Sequence, residues 1–111
     1  MSDDETRGRI EQLLEFVAED PDDHFSRYAL GLEYRSAGRL DDAVAALEEV
    51  RRRDPSYAAT YYQLALCLMD LAREREALAV AEAGAAVARA GGLLKTVNEL
   101  DTLAAQIRDA L

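Results

Sequence analysis

The feature that most constrains the fold of this 111-residue chain is a repeat of 34 residues. The only two prolines, Pro21 and Pro55, each follow an aspartate and are separated by one such interval. The same shift superimposes apolar residues on both sides of the prolines: Leu13 on Leu47, Tyr28 on Tyr62, Leu30 on Leu64, Leu32 on Leu66 and Ala43 on Ala77. Matched apolar positions at this period are typical of proteins built from stacked helical units.

Between the two prolines, the sequence predicts two short antiparallel helices. Asp22 or Asp23 can cap the first helix, because a carboxylate accepts hydrogen bonds from the free N–H groups at a helix start. Gly38 predicts the end of that helix, and Leu40 opens a second one that ends in three arginines before Pro55. The composition agrees, since Ala and Leu are abundant and only 6% of the residues are aromatic.

The residues of this unit resemble a known repeat. Leu30-Gly31-x-x-Tyr34, followed by Gly38, Ala43, Leu47 and Pro55, is similar to the tetratricopeptide repeat (TPR) pattern L-G-x-x-Y, A-x-x-x-F and P at its own spacing. The resemblance implies that Gly31 and Ala43 are small because the two helices of the repeat cross closely there. Arg27 departs from the pattern, since the family usually has Trp at this position, and it implies a thinner anchor for the first helix.

The second unit, residues 56–90, follows the pattern less closely. Tyr61 restores an aromatic residue where Arg27 stands in the first unit, and Ala81 replaces Leu47. Ala81 together with Gly84 implies an unusually close approach of an Ala-rich helix to its neighbour. After this unit, a last amphipathic helix is predicted from an apolar face at helical spacing: Leu93, Val97, Leu100, Ala104 and Ile107.

We therefore predict an all-α fold, an α-α superhelix that resembles a right-handed TPR solenoid with about six antiparallel helices. The predicted helices span residues 6–19, 22–37, 40–53, 56–71, 74–90 and 93–110. They form a single domain, 1–111, with four parts: an N-terminal half-repeat helix (6–21), a first full TPR (22–55), a second, degenerate TPR (56–90) and a C-terminal capping helix (93–111).

The sequence does not predict catalysis. His24 and Cys67 could form a nucleophilic dyad by residue type alone, but Cys67 lies among apolar residues in a predicted helix, where a buried, inert thiol is expected. No second His or Cys completes a metal set, and the carboxylates around Pro21 lack the spacing and the glycine of a calcium loop. We expect no enzyme, no metal site and no cofactor.

The charge of the chain narrows the range of partners. With 22 acidic and 13 basic residues, the formal net charge is −9, which argues against nucleic acid or an anionic membrane surface. No apolar stretch has the length of a membrane span, and the acidic N-terminus does not resemble a signal peptide. We therefore expect a cytoplasmic protein whose partner is another protein or a peptide segment.

The resemblance also implies where a partner binds, because in TPR arrays the first helix of each repeat lines a concave groove. The implied groove residues follow one helical stripe per repeat: Phe25, Tyr28, Leu32, Arg35 and Ser36, then Ala59, Tyr62, Leu66, Met69 and Asp70. Leu32 and Leu66 occupy positions where chaperone-adaptor TPRs have Asn, so a clamp for an acidic peptide C-terminus is absent. Such a groove suits an apolar or amphipathic segment.

Two functions therefore remain open at this point. The first is a non-catalytic protein–protein interaction module, or adaptor, that binds such a segment in its groove. The second is a structural or self-assembly module whose groove is closed by its own last helix, through Leu93, Leu100 and Leu103, or by a second copy in a homodimer. An apolar stripe at helical spacing is compatible with both.

Overall fold

The computed structural model describes residues 3–111, and these residues form six helices and no strand. The helices are α1 (Asp3–Glu19), α2 (His24–Ser36), α3 (Leu40–Arg53), α4 (Ala58–Asp70), α5 (Glu74–Ala90) and α6 (Leu94–Ala110). The predicted all-α helical-repeat fold is confirmed. Helix ends differ from the predicted ones by three residues at most, the largest difference being the earlier start of α1. Residues 1 and 2 of the predicted domain lie outside the described residues.

The helices form one curved array. Each helix packs against the next one along the chain, and α4 also approaches α2 and α6 to within 8 Å between Cα atoms. Within the described chain, α1, α3 and α5 do not approach one another this closely. The array is therefore shorter on the side of the even-numbered helices, and we call this side the concave face.

Three of the turns between helices share one geometry. Each places a residue with a left-handed backbone after the helix: Gly38 (φ 75°), Ala72 (φ 58°) and Gly92 (φ 70°). The residue that follows donates its N–H to the carbonyl oxygen five positions earlier, with N···O distances of 2.8–2.9 Å. This hydrogen bond satisfies a carbonyl that the helix leaves free, as in a Schellman turn. Gly38 therefore ends α2 as predicted, and Ala72 adopts the same conformation without being glycine.

The two Asp-Pro turns are each held by a side chain from the following helix. The guanidinium of Arg27 donates to the carbonyl oxygen of Pro21 (2.6 Å), and the hydroxyl of Tyr61 donates to that of Pro55 (2.6 Å). Both donors are buried, and both lie six residues after the proline. Arg27 thus takes the same role as Tyr61, although the sequence suggested a thinner anchor at this position.

Glycines mark the closest contacts between helices. A Cβ atom on Gly31 of α2 would lie 2.7 Å from Leu47 of α3, which agrees with the close crossing that the resemblance implied. A Cβ atom on Gly84 of α5 would lie 2.4 Å from the Cβ of Tyr61 in α4. The centre of the core is made of fully buried side chains along the array: Leu47, Val50, Thr60, Leu64, Cys67, Leu100 and Ile107.

The last helix buries most, but not all, of its predicted apolar face. Val97, Leu100, Ala104 and Ile107 are buried against the array. Leu93 was expected on this face but is 47% exposed, because the helix begins one residue later and Leu93 belongs to the turn. From Ala58 to Leu94, the starts of α4 and α6 are 36 positions apart, against 34 between the starts of α2 and α4.

Candidate interaction groove

The ten residues predicted to line the groove lie on α2 and α4, and none of them is fully buried. Phe25, Ser36 and Asp70 are exposed, and the other seven are partly buried. Tyr28, Tyr62, Leu66 and Met69 pack against the core through part of their surface. The stripe thus combines a buried edge, which fixes its rotamers, with an accessible edge on the concave face.

Four of these residues come together in a depression between α2 and α4. Its volume is about 420 Å³, and it is lined by Leu32, Arg35, Ser36, Gln63 and Asp70. The guanidinium of Arg35 approaches the carboxylate of Asp70 at 3.6 Å, so the two groove charges predicted from the sequence face each other across the depression. With this pair mutually neutralised, the depression carries no net charge.

An aromatic cluster continues the face at the start of α2. The rings of Phe25 and Tyr57 meet edge to face with their centroids 6.1 Å apart, and those of Tyr28 and Tyr57 do so at 5.3 Å. Burial and the neighbouring Tyr57 raise the pKa of Tyr28, against a hydrogen bond from Gln63 that lowers it. Perpendicular rings at these distances attract one another, so this cluster is a preformed aromatic surface.

A second depression, of about 300 Å³, lies between α4 and α6. It is lined by Tyr62 from α4 and by Asn98, Glu99, Thr102, Leu103 and Gln106 from α6. A shift of 36 residues relates Tyr62 to Asn98, Leu66 to Thr102 and Asp70 to Gln106. The concave face is therefore apolar on α2 and α4 and becomes polar on α6.

Sequence reasoning missed Tyr57, Gln63 and the contribution of α6. Tyr57 precedes α4 as its N-cap residue, so it falls outside a stripe drawn at helical spacing. The α6 residues were hidden because two additional positions interrupt the 34-residue period before α6. A search with a period of 36 would have aligned α4 with α6 and found them.

The last helix does not lie across α2. In the described chain, α6 contacts α5 and α4 but does not approach α2, and Leu100 and Leu103 are buried rather than projecting into the first depression. Leu100 packs close to Gly84 of α5. The depression lined by Leu32 and Asp70 is therefore not covered by the chain's own C-terminal helix.

The two residues considered for nucleophilic chemistry lie apart. His24 opens α2, whereas Cys67 is buried and interacts electrostatically with Arg35, 11 positions further along α2. At 1.5 Å per residue, this interval corresponds to about 16 Å along the helix. Burial raises the pKa of the Cys67 thiol, which disfavours the reactive thiolate.

Two further kinds of site were sought in the described residues. No group of three or more His, Cys, Asp or Glu side chains within residues 3–111 could hold a metal ion. None of the six helices in this range combines the length and the apolar character that crossing a membrane requires.

Antiparallel helix pairs stacked into a curved array, with an accessible concave face, define a helical-repeat protein of the solenoid class. A family model described as the anaphase-promoting complex, cyclosome, subunit 3, which is TPR-like, matches residues 9–84. The chain belongs to the tetratricopeptide repeat family, as the resemblance indicated. No curated protein matches the chain in sequence.

Solved structures agree with this assignment. A tetratricopeptide repeat domain protein from Salinibacter ruber, solved by NMR in solution, is 35% identical, with a TM-score of 0.75 over 79% of this chain and 89% of that one. A crystal structure of such a protein from the same organism gives 33% identity and a TM-score of 0.74 over 78% and 97% of the two chains. The TPR2B domain of yeast Sti1, in complex with pHsp70, shares the fold at 14% identity, with a TM-score of 0.89 over 97% and 86%.

Proposed function

We propose that this protein is a non-catalytic interaction module, an adaptor whose concave groove binds an apolar or amphipathic segment of a partner protein. TPR proteins are generally protein-interaction modules, and the TPR2B domain of Sti1 was solved with such a partner. The proposal includes a cytoplasmic location and the division of the chain into a half repeat, two full repeats and a capping helix. It includes neither nucleic acid nor membrane as a partner.

The observation that carries the proposal is the uncovered, neutral depression between α2 and α4. Leu32 forms part of its wall, and the Arg35–Asp70 pair closes one side. Apolar side chains of a partner gain roughly 25 cal/mol for each Å² of surface that they bury here. Because association and side-chain ordering oppose this gain, we expect micromolar rather than nanomolar affinity for a short segment.

A helical segment suits the row of groove residues. Tyr28, Leu32 and Arg35 recur on one side of α2, and Tyr62, Leu66 and Met69 recur on α4. A partner helix with apolar residues at every third or fourth position presents the same spacing to both. The ten predicted groove residues are therefore proposed as the contact surface, with Arg35 and Asp70 at its rim.

The proposal is tested with peptides selected from a random phage-displayed library. Their binding sites are mapped by ¹H–¹⁵N NMR, and their affinities are compared for Leu32→Glu and for Leu14→Glu, which places the same charge on exposed α1. We expect shifts on α2 and α4 and a loss of about tenfold or more with Leu32→Glu, because a carboxylate in an apolar contact must be desolvated. Leu14→Glu should change affinity less than twofold.

The same measurements can contradict the proposal. Peptide shifts confined to α1, α3 and α5, or an unchanged affinity in Leu32→Glu with its helical circular dichroism intact, would place binding elsewhere. Sedimentation equilibrium separates the alternative function: a dimer that Leu32→Glu dissociates would identify the groove as a self-assembly surface.

A further inference from the structure

The most exposed large hydrophobic residue in the described chain is Phe25, at 76% of its surface. Its ring is not mobile on its own, because Tyr57 packs against its edge and also against Tyr28. We call these three residues the aromatic corner. A large apolar surface that is exposed and also held in place is typical of a contact site for a partner.

The turn that precedes α2 places acidic groups beside this corner. We call residues 19–23 the acidic turn; its carboxylates are Glu19, Asp20, Asp22 and Asp23. Asp23 caps α2 and accepts hydrogen bonds from the backbone of Ser26 and of Phe25 itself. The carboxylates therefore lie within one helical turn of the exposed ring.

Only part of this negative charge is compensated. Arg53 pairs with Asp22 at 3.1 Å, and Arg27 is buried against the carbonyl oxygen of Pro21. In residues 3–111, Glu19 and Asp20 are exposed and form no ion pair. Four carboxylates against two guanidinium groups leave the acidic turn with a net negative charge, while the Arg35–Asp70 pair keeps the depression next to it neutral.

The second repeat lacks this combination at the equivalent positions. A shift of 34 residues places Ser56 at Asp22, Tyr57 at Asp23 and Ala59 at Phe25. The exposed phenylalanine and the surplus of carboxylates therefore occur together only at the first repeat. This end of the groove differs in both shape and charge from the rest of the concave face.

We propose that the aromatic corner and the acidic turn bind the cationic end of the partner segment. An apolar side chain of that segment packs on Phe25 and Tyr57, and adjacent Arg or Lys residues lie over Glu19, Asp20 and Asp22. An arginine can also stack on the exposed ring. The inference rests on the proposed function, which it deepens by stating the charge and the orientation of the segment in the groove.

The test uses fluorescein-labelled amphipathic peptides that share one apolar core of Leu, Phe and Ala. They carry three Arg, three Gln or three Glu at one end, either amino or carboxyl, and their affinities are measured by fluorescence anisotropy. We expect the better Arg peptide to bind about fivefold or more tightly than its Gln counterpart at low salt. This advantage should fall below about twofold at 0.5 M NaCl, where exposed charges are screened.

Two sets of variants localise the effect. Glu19→Gln/Asp20→Asn/Asp22→Asn should abolish the advantage of the Arg peptide, whereas Glu11→Gln/Glu15→Gln/Asp109→Asn removes the same charge elsewhere and should preserve it. Phe25→Ala should weaken all the peptides about fivefold, because it deletes the shared apolar contact. Phe16→Ala, which truncates another exposed phenylalanine, should leave them unchanged.

Each alternative result separates the two proposals. Equal affinity of the Arg, Gln and Glu peptides, with a loss in Leu32→Glu, overturns the cationic orientation and leaves the interaction module standing. An equal loss of the Arg advantage in both charge variants shows a general effect of the net charge and overturns the proposed site. Absence of binding by every peptide overturns both proposals.

Discussion

The two complete helix pairs of the molecule, α2–α3 and α4–α5, reach the same close packing with opposite residues. In the first pair the glycine is on the first helix, where Gly31 accommodates Leu47. In the second pair the glycine is on the second helix, where Gly84 accommodates Tyr61. The repeat thus keeps the distance between helices, while the small residue can stand on either side of the contact.

This exchange follows a pattern along the sequence. A shift of 34 residues relates Gly31 to Ala65 and Leu47 to Ala81, so the second pair is uniformly small at the crossing of the first. The volume lost there is supplied by Tyr61 and the C-terminal helix, since Leu100 also lies close to Gly84. Packing density is therefore maintained by different side chains in the two repeats.

The largest expected effect is that of Gly84→Ala. Alanine in the middle of a helix favours folding by about 0.5–1 kcal/mol over glycine, but here its Cβ would meet the Cβ of Tyr61, which cannot move without its backbone. We expect a net loss of about 3 kcal/mol in the free energy of unfolding, measured in urea.

Gly8→Ala is the matched control for this substitution. Gly8 lies on α1, and a Cβ there would have no atom within 4 Å, so the same change should stabilise the protein by up to about 1 kcal/mol. If Gly84→Ala were as stable as Gly8→Ala, α4 and α5 would be able to separate at no cost, and the tight contact would not determine stability.

The second prediction converts the first repeat to the arrangement of the second. Gly31→Ala should cost about 2 kcal/mol, because its Cβ meets the branched end of Leu47, which can yield in part. Leu47→Ala should cost about 3 kcal/mol through the cavity that it leaves. The double variant, which restores the Ala–Ala pair of Ala65 and Ala81, should be more stable than the sum predicts by about 1 kcal/mol or more.

This thermodynamic cycle has a clear negative outcome. Strict additivity of the two changes, with unchanged denaturant slopes, would mean that Gly31 and Leu47 do not share one contact. Thermal unfolding monitored by circular dichroism provides a second, independent measure of the same coupling.

Most of the fold could be predicted from the sequence, because its period, its prolines and its apolar stripes all describe local structure. The 34-residue shift placed α2 to α5 correctly, since the turns at Gly38 and Pro55 have fixed lengths. The shift failed at α6, where α5 has 17 residues against 14 in α3. A period cannot reveal a helix beyond the point where its own length changes.

The concave face was predictable only along single helices. Helical spacing gave the α2 and α4 stripes, because residues three and four apart share a face. Tyr57 was missed because its ring reaches across to α2 from a turn, and Arg27 was misjudged because its hydrogen bond to Pro21 depends on how the turn folds back. Such contacts depend on the arrangement of the chain in space, which the sequence pattern does not contain.

The third prediction concerns the turns at Gly38 and Ala72, which are equivalent in the two repeats. Both residues have positive φ, which glycine adopts freely and alanine adopts at a cost of about 1 kcal/mol. Ala72→Gly should therefore stabilise the protein by about 1 kcal/mol, and Gly38→Ala should destabilise it by a similar amount, measured by urea unfolding. The same sign for both substitutions would show that the two turns are not equivalent.

The smallest expected effect separates the repeats by their response to acid. The guanidinium groups of Arg52 and Arg53 lower the pKa of Glu49 to about 2 from 4.5, whereas the equivalent residues of the second repeat, Ala83, Ala86 and Val87, carry no charge. A carboxylate whose pKa is lowered by folding contributes stability above its unfolded pKa. This contribution is lost as the pH falls from about 4.5 towards 2.

Glu49→Gln should therefore lower the urea midpoint at pH 6 slightly and leave that at pH 2 almost unchanged, so that the two proteins converge in acid. The effect is small because these groups are near the surface, where water and salt screen the pair. Glu11→Gln, on the outer face of α1, controls for the change in net charge and should show no such convergence. If wild type and Glu49→Gln differed equally at both pH values, the arginine cluster of α3 would act through packing of its aliphatic stems rather than through its charges.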